Sequence, residues 1–274
     1  MRPEVTKDTV LCMSLAGRPS NIGTRFHNYL YDELGLDYIY KAFTASDLAA
    51  AIGGIRALGI RGCGVSMPFK ERCMQYVDAL EPSARAIQSV NTIVNTCGFL
   101  RAYNTDYIAV RQLLAAHEIA VTSTFAVRGS GEMAKAVVAA LRDSGFASGA
   151  VIARNVETGR ALAKQYGYEW QPELTGGDVQ VLVNATPVGM GGTPAAEALA
   201  FPRDAVEAAR AVIDVVAMPA DTPLVRLAQA LGRTVITGAD VIKLQALEQF
   251  VLYTGIRPTD EQALRASEYS RVST

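Results

Sequence analysis

The chain has 274 residues, half of them hydrophobic, and a formal net charge of -1 with no block of like charge. That length supports two domains of ordinary size, each with its own core. The absence of a basic stripe excludes a nucleic-acid surface, and no apolar run approaches the ~18 residues of a membrane span. From the N-terminus, MRPEVTKDTV lacks the apolar core and cleavage site of a secretory leader. TVLCMSL is strand-like, TRFHNYLYDELG has helical spacing closed by Gly35, and DYIYKAF is a strand. SDLAAAIGGIRALG is a helix with Ser46 as N-cap and Gly59 as its stop. IRGCGVSMP is a third strand. After a short helix, SVNTIVN and GFLRAYN, joined by Thr-Cys-Gly, read as a β-hairpin. A helix over about 106–117 follows. The β-α-β-α-β alternation favours a mostly parallel sheet.

A second α/β unit opens at residue 124. TFAVRGSGEMAKAVVAALRDSG reads as strand, glycine turn and long helix. GAVIARN, DVQVLVNATP, VIDVVAMP and TVITG are further strands, and VETGRALAKQYG is a helix. Helices over about 239–255 and 258–269 follow no further strand and are expected to return to the first domain. Cys12, Cys63, Cys73 and Cys97 form no CxxC, and Cys12 and Cys63, in strand-like apolar runs, read as reduced core residues of a cytoplasmic protein. His27 and His117, the two histidines, have no ligand pattern around them, so no metal is expected.

The glycine turn is Gly129-Ser130-Gly131-Glu132-Met133-Ala134, a G-x-G-x-x-A after an apolar strand and opening a helix. Gly129 permits the tight turn, Gly131 lets backbone approach a pyrophosphate, and Ala134 lets the helix pack near the strand. The helix N-terminus offers free N–H groups to phosphates. A tight turn without a ligand has the same local pattern, and the Glu132 carboxylate suits phosphate only if it points away. The next strand ends Ile152-Ala153-Arg154-Asn155 with no acid at its tip. An arginine there suits a 2′-phosphate, hence NADP, the alternative being a solvated strand-end cation.

Lys70 follows a strand and a proline, and Asp106 follows Asn104-Thr105. Singly, Lys70 reads as a solvated residue in a first helical turn, and Asp106 as a cap. Together they lie at C-terminal strand ends of an α/β domain, where such domains hold ligands. Oxidation of a secondary alcohol needs a group that takes the hydroxyl proton as hydride leaves; a lysine and an aspartate suit that task, and either of them can be the acceptor.

GVSMPFK (64–70), SVNT (89–92), YNTD (103–106), GSGEMAKAV (129–137), NATPVGM (184–190), DVVAMPADTPL (214–224) and GADVIKLQALEQF (238–250) resemble, in order and spacing, the shikimate dehydrogenase family and its dehydrogenase-like branch. The resemblance covers nearly the whole chain. It implies an α/β fold of two domains with a cleft between them: residues 1–107 plus 239–274 for substrate binding and catalysis, and 108–238 as a Rossmann-type NADP-binding domain. It implies NADP-dependent oxidation of shikimate, or a related polyhydroxylated cyclohexene acid, to the 3-dehydro ketone in aromatic amino acid biosynthesis. Lys70 and Asp106 match the catalytic pair. Ser66, Asn91 and Gln245 match ligands of the substrate hydroxyls. Gly129, Ser130, Gly131, Ala134 and Arg154 match the dinucleotide site, with Thr186 near it.

Four departures bear on specificity. The family's Ser-x-Ser loop, which binds the substrate carboxylate, is shorter here and reads Arg18-Pro19-Ser20-Asn21-Ile22-Gly23-Thr24, with Asn21 and Gly23 at the serine positions. Asn21 is a candidate substrate ligand there, and Ser20 and Thr24 can partly substitute for the serines. Asn-Val-Thr is Gly64-Val65-Ser66, a tyrosine near the nicotinamide is Ala217, and a glycine in the last motif is Asp240, whose charge would repel a carboxylate. The expectation is kept chemistry with altered carboxylate recognition. The alternative is a low-turnover NADP(H)-binding regulatory or redox-sensing protein. The expected partner is a small molecule, neither nucleic acid nor membrane, and the expected state is a monomer or homodimer.

Overall fold

The computed structural model describes residues 4–175 and 178–271; the first three residues of MRPEVTKDTV and the C-terminal limit of the first expected domain lie outside them. Two compact units divide the chain, Met1–Thr105 with Lys243–Thr274, and Asp106–Ile242.

In the first unit, β1 (Val10–Leu15), α1 (Ile22–Glu33), β2 (Tyr38–Phe43), α2 (Leu48–Ala57) and β3 (Gly62–Val65) form the expected alternation. A 3-10 helix (Arg72–Tyr76), β4 (Ala79–Leu80), α3 (Pro82–Ile87), β5 (Thr92–Thr96) and β6 (Phe99–Tyr103) follow. The sheet order is β2-β1-β3-β5-β6-β4. Only part of it is parallel: β1 pairs parallel with β2 and β3, whereas β5 runs antiparallel to β3 and to β6. The reversal is local. Cys97 (φ 51°) and Gly98 (φ 87°) make a two-residue turn in the left-handed region, the geometry that closes a twisted hairpin. Strand alternation feeds two cores. Met13 and Leu15 join Ile52, Ile55, Ile93 and Leu100 on one face. Cys12 joins Phe26, Leu30, Tyr31, Phe250 and Tyr253 on the other. Burial pushes the Cys12 thiol up to about 12 and the Cys63 thiol higher still, so both act as core hydrophobes. The cap of α2 is Asp47, not Ser46: Asp47 is extended (φ -121°) and its Oδ1 accepts from the Ala50 N–H at 3.0 Å.

The second unit follows from α4 (Thr105–Ala116). It contains β7 (Phe125–Arg128), α5 (Glu132–Asp143), β8 (Gly149–Ile152), α6 (Val156–Tyr166), β9 (Glu169–Gln171), β10 (Val181–Asn184), α7 (Arg203–Ala208), β11 (Ala211–Asp214), α8 (Pro223–Ala230) and β12 (Thr234–Ile236). The order β12-β11-β10-β7-β8-β9 is parallel throughout. Strand order reverses at β7, the doubly wound pattern in which ligands bind beyond the strand ends at the switch. β9, α7 and α8 escape periodicity because three to eight residues carry too little of it. The chain returns to the first unit within α9 (Gly238–Thr254) and ends in α10 (Asp260–Arg271). Among the described residues, no helix is long and apolar enough to cross a membrane.

Candidate active site

In the first unit, the wholly buried β3 ends at Val65, and Ser66 leaves it exposed. The Ser66 N–H donates to Leu15 O (2.8 Å) and the Gly17 N–H to Met67 O (2.9 Å), tying the exits of β1 and β3 together. Lys70 does not open a helix, contrary to the sequence reading. It lies half-buried in the turn before the 3-10 helix, next to Phe69, which is buried in the core. The Lys70 carbonyl accepts from the Val90 N–H (3.0 Å), and the Val65 N–H donates to Asn91 O (2.7 Å). Backbone bonds thus bring Ser66, Lys70 and Asn91 to one end of the sheet.

Asn91 is 3% exposed. Its Oδ1 accepts from the Thr105 N–H (2.7 Å), Thr92 Oγ1 (2.8 Å) and Thr105 Oγ1 (3.1 Å). A backbone N–H only donates, so these bonds turn the amide oxygen inward and leave Nδ2 as a donor for a hydroxyl oxygen. Gln245 Nε2 donates to Thr105 Oγ1 (3.1 Å), which leaves its Oε1 as an acceptor. Gln249 Nε2 donates to Asn91 O (3.1 Å) and Thr92 Oγ1 (2.9 Å). Gln245 is therefore joined to Asn91 through one threonine. Asn21 is not part of this network: it is the exposed N-cap of α1 and makes no side-chain capping bond. Asp106 opens the second unit as a first-turn residue of α4, directly after Thr105.

In the second unit, Gly129 has φ of 127°, and a Cβ there would lie 2.7 Å from Ala185 O, so conformation and crowding both require glycine. Gly131, the N-cap of α5, differs: apart from its chain neighbours, no described protein atom lies within 4 Å of a Cβ built on it. Packing leaves open the space that a pyrophosphate would take at the N-terminus of α5. Ala134 is fully buried, as a helix packed close to its sheet demands. Glu132 Oε1 accepts from Lys135 Nζ at 3.1 Å one turn on, so this carboxylate has a cation beside it.

A cavity of about 410 Å³ is lined by Arg128, Gly129, Ser130, Ile152, Ala153, Arg154, Asn155, Pro172, Thr186 and Pro187. It thus gathers Gly129, Ser130, Arg154 and Thr186, and none of its described lining residues is acidic. Ser130 Oγ lies 2.8 Å from Thr158 Oγ1, and the Asn155 side chain caps α6 through the Thr158 N–H (3.1 Å), so the turns after β7 and β8 brace each other. Thr186 is set from below. Its N–H and Oγ1 both donate to Asn184 Oδ1 (3.1 and 2.6 Å), and Asn184 Nδ2 donates to Asp214 Oδ1 (3.0 Å). Asp214 also accepts from the Val216 N–H (3.0 Å) and Thr222 Oγ1 (2.6 Å). Burial raises its carboxyl above the ordinary range despite the bonds from Thr222, Val216 and Asn184.

Asp240 has a local task. Its Oδ2 accepts from the Thr237 N–H (3.1 Å) and Thr237 Oγ1 (2.6 Å), and its own N–H donates to Thr237 Oγ1 (3.2 Å). This is a capping box for α9. Sequence reasoning passed over Thr92, Thr105, Gln249, Arg128, Asn184 and Asp214. The signal was Thr92 beside Asn91, Thr105 beside Asp106, Gln249 one helical turn after Gln245, and a cation closing the apolar FAVR run.

The shikimate dehydrogenase substrate binding domain family matches residues 21–93. A shikimate dehydrogenase-like protein of Haemophilus influenzae is 56% identical over 97% of this chain and 98% of its own length. The NADP(+) shikimate dehydrogenase of Pyrococcus abyssi is 36% identical over 92% of this chain and 96% of its own. The solved Thermus thermophilus shikimate 5-dehydrogenase, in complex with NADP(H) and shikimate, superposes with a TM-score of 0.84 at 28% identity, covering 95% of this chain and 99% of that one. With relatives of this similarity along nearly its whole length, the chain belongs to the shikimate dehydrogenase family.

Proposed function

We propose that this protein is an NADP-dependent oxidoreductase that converts a secondary hydroxyl of shikimate, or a related polyhydroxylated cyclohexene acid, to the 3-dehydro ketone. The observation that carries the reading is the cavity beyond β7 and β8: a glycine turn, Arg154 at the strand tip and no carboxylate among its lining residues. A carboxylate there would favour a ribose hydroxyl, whereas an arginine favours a 2′-phosphate. The open space at Gly131 and the α5 N-terminus fit the pyrophosphate. NADP+, when bound, supplies the hydride acceptor. Asn91 Nδ2 and Gln245 Oε1 are the donor and acceptor for substrate hydroxyls, and Ser66 at the β3 exit is a further hydroxyl ligand. Lys70 and Asp106 handle the hydroxyl proton: as the carbon loses hydride, the oxygen's proton passes to this pair and the C=O bond forms. Ser66, Lys70 and Asn91 stand together at the end of the first unit's sheet, which supports this assignment. The same reading is supported by the NADP(+) shikimate dehydrogenases among the relatives.

The test is the rise of NADPH absorbance when NADP+ is incubated with shikimate, quinate or an amino-substituted analogue. Turnover with one of them and slower turnover with NAD+ are expected. NADPH binding with no turnover on any of the three favours the second reading, a low-turnover NADP(H)-binding regulatory protein. That reading has one observation behind it, the short loop in which Asn21 and Gly23 stand at the serine positions.

A further inference from the structure

We infer that Arg128 is a specificity-determining residue of the nucleotide site, forming with Arg154 a two-arginine clamp for a phosphate on the ribose 2′-position. The inference rests on the dinucleotide reading above and adds to it a residue from a different strand. β7 is apolar until its last residue, and Phe125, Ala126 and Val127 are each at most 1% exposed. A guanidinium at the end of such a strand, one residue before the glycine turn, needs a use. Part of it is structural: Arg128 Nη1 donates to the carbonyl of buried Ala200. That bond engages one of five N–H donors. The half-buried side chain also lines the cavity.

Register brings the second arginine to the same end of the sheet. Arg128 pairs with Ile152 across β7 and β8. Paired residues of parallel strands share a face, and Arg154 follows Ile152 by two residues, in the bend just beyond β8. The strands lie about 4.8 Å apart, and two further residues add at most about 7 Å, so both side chains begin within reach of one phosphate. Both line the same cavity, and no carboxylate in its lining neutralises them. A dianionic phosphate meets two planar donor forks there, the pairing that arginine makes best. A neutral 2′-hydroxyl would leave both cations without a counter-charge.

The experiment titrates the full chain and its Arg128→Gln and Arg128→Lys variants with 2′,5′-ADP and with 5′-ADP, which differ by the 2′-phosphate. Calorimetry is the readout, and a thermal melt checks folding. Arg128→Gln is expected to weaken 2′,5′-ADP about tenfold or more and 5′-ADP less than about twofold. Arg128→Lys should keep much of the preference, because it keeps the charge without the fork. Equal weakening of both ligands would mean that Arg128 only tethers the Ala200 segment. Unchanged binding of both would remove it from the site. Loss of preference in Arg154→Asp with none in a folded Arg128→Gln would overturn the clamp and spare the NADP reading. Failure of the unmodified protein to bind 2′,5′-ADP or NADPH would overturn both.

Discussion

Replacing Asp214 probes the hydrogen-bond network beneath Thr186, at the cavity proposed for the nucleotide. The carboxylate is fully buried and takes three donors, from Asn184, Val216 and Thr222. In Asp214→Ala, Asn184 Nδ2 keeps its bond to Val188 O (3.0 Å), but the Val216 N–H and the Thr222 hydroxyl lose their acceptor. Each orphaned buried donor costs about 1–3 kcal/mol, so with the lost packing the variant should fall by about 3–5 kcal/mol. In Asp214→Asn, Oδ1 retains Asn184 and Val216, and Nδ2 donates to Thr222 Oγ1, so the cost is about 1 kcal/mol. The sign of the pH dependence follows from the raised carboxyl. The folded state holds this proton more tightly than the unfolded one, so the group's contribution is complete below the ordinary value of 3.8 and is lost as pH rises through the folded value. Asp214→Asn, which has no such titration, therefore gains on the unmodified protein across that rise. Urea unfolding followed by the fluorescence of Trp170, the chain's one tryptophan, reports the second unit, because Trp170 lies in β9. Asp214→Ala should also weaken NADPH binding through the loosened Asn184–Thr186 turn. A loss in Asp214→Ala of less than about 1 kcal/mol would refute the account of this network.

Lys70→Ala should lower turnover by about 10²-fold or more while NADPH titration stays unchanged; Asp106→Asn should also lower it, and losses that multiply in the double variant would refute a pair acting as a unit. Serines at Asn21 and Gly23 should lower the KM for shikimate by about 10- to 150-fold with little change in kcat. The Gly23 site has room, since a Cβ there meets Tyr40 Oη at 3.7 Å; a native KM as low as that of a serine-loop relative would count against the prediction. His27 is fully buried and stacks on Tyr40 with ring centroids 4.4 Å apart, and burial drives it down to about 3, outweighing the Gln249 amide, whose Nε2 is spent on Asn91 and Thr92. Its folded value lies below the unfolded 6.5, so stability is full above 6.5 and lost on acidification, by about 1.5–2 kcal/mol at about pH 5. His27→Phe should flatten that slope, and an unchanged acid limb would refute it.

The sequence by itself determined what short-range physics sets. The alternation of strands and helices, the glycine turn at residues 129–134 and the Cys97–Gly98 hairpin depend on neighbours within a few residues. So does the absence of an acid at the β8 tip. The α/β class and the family resemblance were legible for the same reason, since the motifs are contiguous. Three features depended on contacts between distant residues. The mixed order of the first sheet follows from pairing β3 with β5 rather than with another parallel strand. The inward turn of the Asn91 amide oxygen is set by Thr105, fourteen positions on, and by Thr92, whose hydroxyl in turn accepts from Gln249, 157 positions away. Arg128 faces the Arg154 cavity only because β7 and β8 pair in one register and because Ala200, 72 positions away, supplies a carbonyl. Periodicity reports which face of an element is apolar; only the folded chain decides which polar atoms meet on the other.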